Sequence, residues 1–255
     1  MKKIIGLLAI GAFTISALSS CEKDDSKHID YTPTLDPAYV KIIHVAPNFR
    51  QVFNAADSFN VFLDDDKLSG TFLTFNAGFP AVTSNINTYA EVRQGNYKVS
   101  LKSSVNGSTI LFLPRTLLEG EKYSFLITDS VDRNNAYSSL WLKDEFKIPD
   151  TGKFALRFVH ALMNDTADKA VDLYSKRYDA NIFSGVMKKG ATAFVEFPYT
   201  TLSDTLTVRR AGTTNALAVF NTASFSRKRV YTVVYKGNTT TTGTKGKNIL
   251  IYNNY

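Results

Sequence analysis

His44 and His160 hold equivalent places in two similar stretches, Val40-Lys41-Ile42-Ile43-His44-Val45 and Leu156-Arg157-Phe158-Val159-His160-Ala161. An imidazole that titrates near neutrality can ligate a metal or act as a general base. Each of these closes an alternating run, on the face that carries Val40 and Ile42 or Leu156 and Phe158. The expected role is therefore a core histidine hydrogen-bonded to the backbone of a neighbouring loop. His28 stands in a polar stretch and is read as inert. The run Asp64-Asp65-Asp66-Lys67 offers carboxylates of the kind that bind Ca²⁺, but such a site needs about six to eight oxygens in a bent loop. No Gly or Glu stands at supporting spacing and Asp favours turns, so a turn is expected; Asp165, Asp168 and Asp172 are read in the same way. No metal or other cofactor is expected.

Enzyme signatures are missing. There is no G-x-S-x-G elbow, no H-E-x-x-H, no G-x-x-x-x-G-K-[ST] and no G-x-G-x-x-G. A carboxylate pair distant in sequence leaves no such mark, so glycan hydrolysis stays as the last-ranked alternative, and no catalytic residue is assigned. The expectation is a protein that is not an enzyme. Among its 255 residues the chain has one Cys and three His, too few for an intrachain disulfide or a Cys/His zinc cage.

Binding chemistry is better represented. Sugar faces stack on aromatic rings, and the chain has 13 Tyr, 18 Phe and one Trp to offer. The candidates are Tyr137 and Trp141 near the last hairpin of the first half, and Tyr174, Tyr178 and Tyr199 near turns of the second. Trp141 alternates with Leu140 and Leu142 and points opposite to them, so it is either exposed or packed on another domain, core or interdomain packing being the more common outcome for such a residue. Gly237 to Lys247 is a Thr/Gly-rich span between two strand-like runs, either a binding loop or a loose hairpin. Asp129-Ser130-Val131, Asp165-Thr166-Ala167 and Asp204-Thr205-Leu206 resemble the D-[ST]-[AILVMT] O-glycosylation acceptor of Bacteroidota, with Ser130, Thr166 and Thr205 as the acceptors.

The one thiol has its own context. Lys2 and Lys3 precede an apolar run from Ile4 to Leu18, too short to span a bilayer, followed by Ser19-Ser20-Cys21. This resembles a bacterial lipoprotein signal. The resemblance implies cleavage after residue 20 and acylation of Cys21, and two or three acyl chains at about 0.8 kcal/mol per buried CH₂ anchor a protein durably. Glu22-Lys23-Asp24-Asp25 is similar to the tag that sends Bacteroidota lipoproteins to the outer face of the outer membrane. From Glu22 to Pro37 the chain carries five acids and two prolines and reads as a tether. At about 3.1 Å per residue it would reach about 50 Å.

Lys and Arg number 30 against 23 Asp and Glu, a formal charge of +7; losing Lys2 and Lys3 with the signal leaves +5. The excess is dispersed, apart from Lys188-Lys189, Arg209-Arg210, Arg227-Lys228-Arg229 and the Lys245/Lys247 pair. Solvated strand edges and turns are expected there, with anionic lipopolysaccharide or acidic glycans as the alternative contact. No nucleic-acid module is recognisable.

From residue 38 the apolar period is two, in runs such as 59–63, 97–101, 109–113, 123–128 and 140–142, bounded by Gly, Asn, Asp and Ser. The pattern then repeats. Residues 38–45 recur at 154–161, 61–64 at 171–174, 123–127 at 231–235 and 140–142 at 249–251. Most of the drift falls after the first strand, where 48–59 is longer than its counterpart 164–169, as a loop insertion would be. Such spacing predicts an all-β chain of two tandem immunoglobulin-like β-sandwich domains, residues 38–148 and 149–255, after a signal peptide (1–20) and a tether (21–37). Lys147 to Lys153 reads as the hinge between them.

Here a family resemblance enters. Val40-Lys41-Ile42-Ile43-His44-Val45-Ala46-Pro47 and Leu156-Arg157-Phe158-Val159-His160-Ala161 resemble the V-R-V-V-H-A-S-P opening of the domain of unknown function 4397 family. Phe59-Asn60-Val61-Phe62-Leu63-Asp64 resembles its V-D-V-Y-V-D-G hairpin. The resemblance covers most of residues 38–255, and Leu162-Met163 depart from it in the second copy. It implies tandem Ig-like repeats in a secreted or lipid-anchored bacterial protein and brings no activity or catalytic residue. The expected function is a non-enzymatic, surface-displayed lipoprotein that binds or assembles at the outer membrane, with an outer-membrane protein or a glycan as partner. Polysaccharide capture for a glycan-uptake system is the alternative.

Overall fold

A computed structural model describes residues 36–49, 57–81, 89–128, 139–166 and 169–255. Residues 1–35, with the expected signal, Cys21 and most of the expected tether, and Ser130, Tyr137 and Asp168 lie outside the described residues. Strands make up the architecture, and the chain is all-β. The first copy holds β1 (Pro37–His44), β2 (Ser58–Leu63), β3 (Asp66–Lys67), β4 (Leu73–Thr74), β5 (Gly78–Phe79), β6 (Ala90–Arg93), β7 (Gly95–Ser103), β8 (Thr109–Leu117), β9 (Lys122–Ile127) and β10 (Ser139–Lys143). The second holds β11 (Lys153–His160), β12 (Val171–Ser175), β13 (Ala180–Val186), β14 (Val195–Pro198), β15 (Asp204–Arg210), β16 (Ala216–Ala223), β17 (Val230–Lys236) and β18 (Asn248–Asn253).

Each copy forms two sheets with matching order. One is β10-β9-β1 with β5 and β6 on the far side of β1, matched by β18-β17-β11-β14. The other is β3-β2-β7-β8, matched by β13-β12-β15-β16. In both copies the first strand runs parallel to the penultimate one, β1 beside β9 with Ile42 opposite Phe125 and β11 beside β17 with Phe158 opposite Val233. Val40, Ile42, Val61, Leu101, Leu113 and Phe125 fill the space between the two sheets of the first copy. Leu156, Phe158, Leu173, Val208 and Val233 do so in the second. Alternation explains these faces directly, because residues i and i+2 share one side of a strand.

The opposite faces of β1, β9, β11 and β17 are buried too. Ile43, Val45, Leu126, Leu140, Val159, Ala161, Val234 and Tyr252 form a third core between the two copies. Thr34–Tyr255 accordingly clusters as one compact unit, and the segment read as a hinge joins sheets already in contact. Ile43, Leu126, Val159 and Val234 are fully buried at about 1.5–3 kcal/mol each, which offsets the several kcal/mol it costs to bury an ion beside them.

Two ions are buried there. Lys41 and Arg157, at matching positions of β1 and β11, are 1% and 2% exposed, although alternation alone would point both at water. The Lys41 ammonium donates to the Asn253 carbonyl and sits 4.7 Å from the centre of the Tyr89 ring. Arg157 meets Asp144 Oδ1 at 2.5 Å, donates to Thr232 Oγ1 at 2.9 Å and to the Tyr252 hydroxyl at 3.2 Å. The other Asp144 oxygen accepts from Tyr89 and Ser124 at 2.6 Å and from Asn254 at 3.2 Å. Burial pushes the Lys41 amine down to about 8, partly opposed by Asp144.

Candidate functional site

Loops of the two copies build a groove lined by Asp57, Ser58, Thr74, Phe75, Asn76, Thr244 and Lys245. Asp57 and Ser58 enter β2 at the end of the longer first-copy insertion. Thr74 to Asn76 turn from β4 into β5, and the turn is tied to β1: Asn76 N donates to the His44 carbonyl at 2.8 Å and His44 N to the Ala77 carbonyl at 2.9 Å. Asn76 takes φ 70°, a left-handed conformation that Asn tolerates better than most residues.

The far wall comes from the second copy. The span after β17 is neither loose nor extended; it folds back through a 3₁₀ turn at Gly243–Lys245. Asn238 N donates to the Lys245 carbonyl at 2.9 Å, Thr241 Oγ1 to the same carbonyl at 3.0 Å, and Asn238 Oδ1 accepts from Thr240 N at 2.8 Å. Gly237 makes this neck possible: at φ 104° a Cβ there would lie 1.9 Å from the Gly246 carbonyl oxygen. The Lys245 ammonium, so placed, pairs with Asp57 Oδ2 across the groove.

The floor is aromatic. His44 is fully buried with its ring 4.7 Å from Phe59, 5.2 Å from Phe49 and 5.9 Å from Phe75. Burial pushes its imidazole down to about 3, so it is neutral at physiological pH. Its Nδ1 accepts a long bond from Ala46 N at 3.4 Å, and the Asp57 backbone and carboxylate also act on the ring, favouring its charged form against burial. Asp57 Oδ1 and Asn76 Oδ1 are buried with no hydrogen-bond partner among the described residues. Lys236, the last residue of β17, is 2% exposed, with Nζ 4.7 Å from the centre of Phe75, and Lys245 Nζ is 5.8 Å from the same ring. Burial alone brings the Lys236 amine down to about 8. Lys245 and Asp57 are the ionic residues of the groove's lining and neutralise one another, beside the hydroxyl-bearing Ser58, Thr74 and Thr244.

The second histidine sits in a different setting. His160 Nδ1 is 3.1 Å from the Val186 carbonyl, and its Nε2 is 3.1 Å from Asp165 Oδ2. Arg210 grips the same carboxylate at 3.0 and 3.2 Å and holds it below the usual range, while burial lowers the imidazole. This is a satisfied structural cluster, and Asp165 and Arg210 within it were not legible as partners of His160.

The aromatic candidates do not share one site. Trp141 is half-buried against the first copy's core, 5.3 Å from Tyr123 and 5.2 Å from Phe125, with the Arg115 guanidinium 5.5 Å away. It is Leu140 and Leu142 that face the second copy. Of the placements open to Trp141 the structure shows core packing: the outward side of its strand is the interface, taken by Leu140 and Leu142, so the opposite residue points inward. Tyr174 donates to Asp179 at 2.6 Å beneath the Arg209 guanidinium, Tyr178 donates to the Pro198 carbonyl at 2.9 Å, and Tyr199 lies 5.1 Å from the Arg227 guanidinium. Of the acceptor candidates, Thr166 is exposed, and Thr205 lies within β15, where its hydroxyl donates to the Asn221 carbonyl at 3.3 Å. Asp64 takes φ 53° in the turn after β2, with Oδ1 accepting from Lys98 N at 2.8 Å; Asp172 accepts from Gly185 N and Asn181. Among the described residues no group of three His, Cys, Asp or Glu gathers to hold a metal.

The groove residues Asp57, Phe75 and Asn76 carried no motif. The signal that could have found them is the longer 48–59 segment, since an insertion in one copy marks where the copies have diverged.

Fold and groove together define the class: stacked β-sandwich repeats whose loop ends meet. The model of the family described as Domain of unknown function (DUF4397) matches residues 38–174, just over half of the chain, and the chain belongs to that family. The match runs through the whole first copy and into β12 of the second. No curated protein matches. Among solved structures, the chain is similar to the Bacillus anthracis TIE protein at 13% identity and a TM-score of 0.24, over 80% of this chain and 34% of that one. The chain thus spans about a third of the length of that structure.

Proposed function

We propose that this chain is a lipoprotein of a Bacteroidota-type bacterium, anchored through acylated Cys21 and displayed at the surface of the outer membrane, where it binds or assembles with a partner without catalysing a reaction. Residues 1–20 are its signal, 21–37 its tether, and 38–148 and 149–255 its two domains. The observation that carries the binding role is the groove in which Asp57, Phe75 and Asn76 of one copy meet Lys245 of the other on a stack held by a shared core. Loops on a rigid scaffold are where recognition residues are held in place at low entropic cost.

Fractionation and surface proteolysis test the anchoring half. The native protein stays with the outer membrane and is cut by protease added to intact cells, and the Cys21→Ala protein is released into soluble fractions. Unchanged membrane retention of Cys21→Ala overturns lipid anchoring. A second reading, capture of polysaccharide for uptake, draws support from the hydroxyl and carboxylate lining of the same groove. The stacked-aromatic form of that reading has less support, since Trp141 is turned into a core.

A further inference from the structure

The turns that lead into β9 and β17 share one backbone and carry opposite charge. Leu118 N donates to the Tyr123 hydroxyl at 3.3 Å, and Ser226 N to the Tyr231 hydroxyl at 2.9 Å. Gly120 N donates to the Pro37 carbonyl at 2.9 Å and Lys228 N to the Lys153 carbonyl at 2.7 Å, while Tyr39 N and Ala155 N donate to the Glu121 and Arg229 carbonyls, both at 2.9 Å. Leu118-Glu119-Gly120-Glu121 is thus matched position by position by Ser226-Arg227-Lys228-Arg229, and acids in the first copy become cations in the second. The third position is left-handed in both, φ 70° at Gly120 and φ 60° at Lys228, a conformation that Gly takes freely and Lys only under strain. The fold requires the turn, and the first copy shows that it does not require these cations.

Among the described residues Arg227, Lys228 and Arg229 make no ion pair. The Arg227 guanidinium lies 5.1 Å from the centre of the Tyr199 ring and that of Arg229 6.0 Å from Tyr255, contacts that leave both charges in place. Glu196 and Asp150 act on the Lys153 ammonium, Glu196 at 2.8 Å. A second difference between the copies falls at the same end. β14 pairs with the first residues of β11 as β6 does with those of β1, yet Gln94 alone joins β6 to β7, whereas residues 199–203 join β14 to β15. That longer loop starts at Tyr199, against the Arg227 guanidinium, and carries Leu202, 72% exposed.

Cations beside an exposed apolar side chain suit a surface of anionic lipid headgroups: phosphates meet the charges and the apolar group enters beneath them. The chain also comes from the lipid at this end. The described residues begin at Asp36 and Pro37, the Pro37 carbonyl closes the first copy's turn, and residues 22–35 are all that separate them from Cys21. Resting on the lipid anchoring proposed above, we propose that Arg227, Lys228, Arg229 and Leu202 seat the second copy on the anionic lipid surface that holds the Cys21 acyl chains. β17 then runs away from the lipid, and the span after it carries Lys245 and the groove outward by about 20 Å. The anchor keeps the turn within reach of the surface, so a contact too weak to retain an unanchored chain at physiological salt is enough.

The test sediments the mature chain, residues 21–255 with Cys21→Ala, with phosphatidylcholine vesicles made with and without phosphatidylglycerol, at low ionic strength. The chain partitions onto the phosphatidylglycerol vesicles, added salt releases it, and pure phosphatidylcholine takes up little. Arg227→Glu, Lys228→Gly and Arg229→Glu together give the second copy the first copy's turn. This variant keeps its melting temperature, because the same backbone already carries those residues at 119–121, and its partition falls on the order of 100-fold. Leu202→Ser lowers partition about tenfold. Lys98→Glu with Lys102→Glu moves the net charge by a similar amount on β7 and has far less effect. The proposal is overturned if the chain does not bind phosphatidylglycerol vesicles, if phosphatidylcholine binds it equally, or if the turn variant or Leu202→Ser binds as well as the parent chain. It is also overturned if the Lys98/Lys102 variant loses as much as the turn variant, or if soluble polyglutamate binds the turn more tightly than the vesicles do. Such a failure leaves lipid anchoring standing, because no acyl chain takes part in this test and the Cys21→Ala fractionation decides that reading.

Discussion

Lys41 and Arg157 stand at the same position of the two repeated first strands, and each is bound by the other copy: Lys41 by the Asn253 carbonyl, Arg157 by Asp144. Arg157 also reaches the Lys143 carbonyl at 3.5 Å, and Lys143 and Asn253 are themselves counterparts, paired with Tyr123 in β9 and with Tyr231 in β17. The reciprocity is that of an isologous dimer interface, here within one chain. It makes the two sandwiches one structural object and fixes the groove at their shared end.

Among the described residues Asp144 is the carboxylate that faces both cations in this network. Asp144→Ala leaves Lys41 and Arg157 buried without a counter-charge and is expected to cost about 3–5 kcal/mol in urea unfolding. Combining it with Arg157→Met removes one of the orphaned charges, and the double variant is expected to be more stable than Asp144→Ala alone.

The shared core predicts one unfolding transition. Leu126→Ala, in the layer between the copies, is expected to cost about 2–5 kcal/mol and to lower the melting of both together in calorimetry. Two separated transitions, only one of them shifted, would count against a continuous stack.

Acid sensitivity follows from His44. Its folded imidazole sits at about 3 against 6.5 for an ordinary one, so between those values the unfolded chain binds a proton that the folded chain refuses. Stability therefore falls as pH drops from about 6.5 toward 3. His44→Phe, placed among Phe49, Phe59 and Phe75, is expected to flatten that slope in denaturation series across the range.

Alkali acts in the opposite sense on the buried amines. Lys41 and Lys236 are lowered from 10.5 to about 8, so in that window the unfolded chain holds the extra proton and stability rises with pH. Each is expected to contribute on the order of 1–2 kcal/mol between pH 8 and 10, and Lys41→Met should remove its share. Above pH 10 the gain reverses, because the buried Tyr89 and Tyr235 hydroxyls are raised and the unfolded chain ionises first.

The strands, their repetition and the inward faces of β1 and β11 were legible, because period two and the recurrence of Val40–Val45 at Leu156–Ala161 depend on local sequence alone. The burial of Lys41 and Arg157 was not. A charged residue opposite an apolar face reads as solvent-facing, and only the docking of a second sheet turns that face into an interior. His44 was rightly placed in a core, but its aromatic cage depends on Phe75, which a loop delivers. The groove was half legible: the span 237–247 stood out as a loop, whereas its contact with Asp57 joins residues far apart in sequence. No local pattern encodes such a meeting.

The most direct test of the binding role is affinity capture of the tagged full chain from gently solubilised outer membranes, native beside Asp57→Ala, with mass-spectrometric and glycan analysis of what remains bound. The account predicts a stoichiometric partner or glycan retained by the native chain and lost from Asp57→Ala. Recovery of the native chain alone, or of the same companion with both, would contradict it.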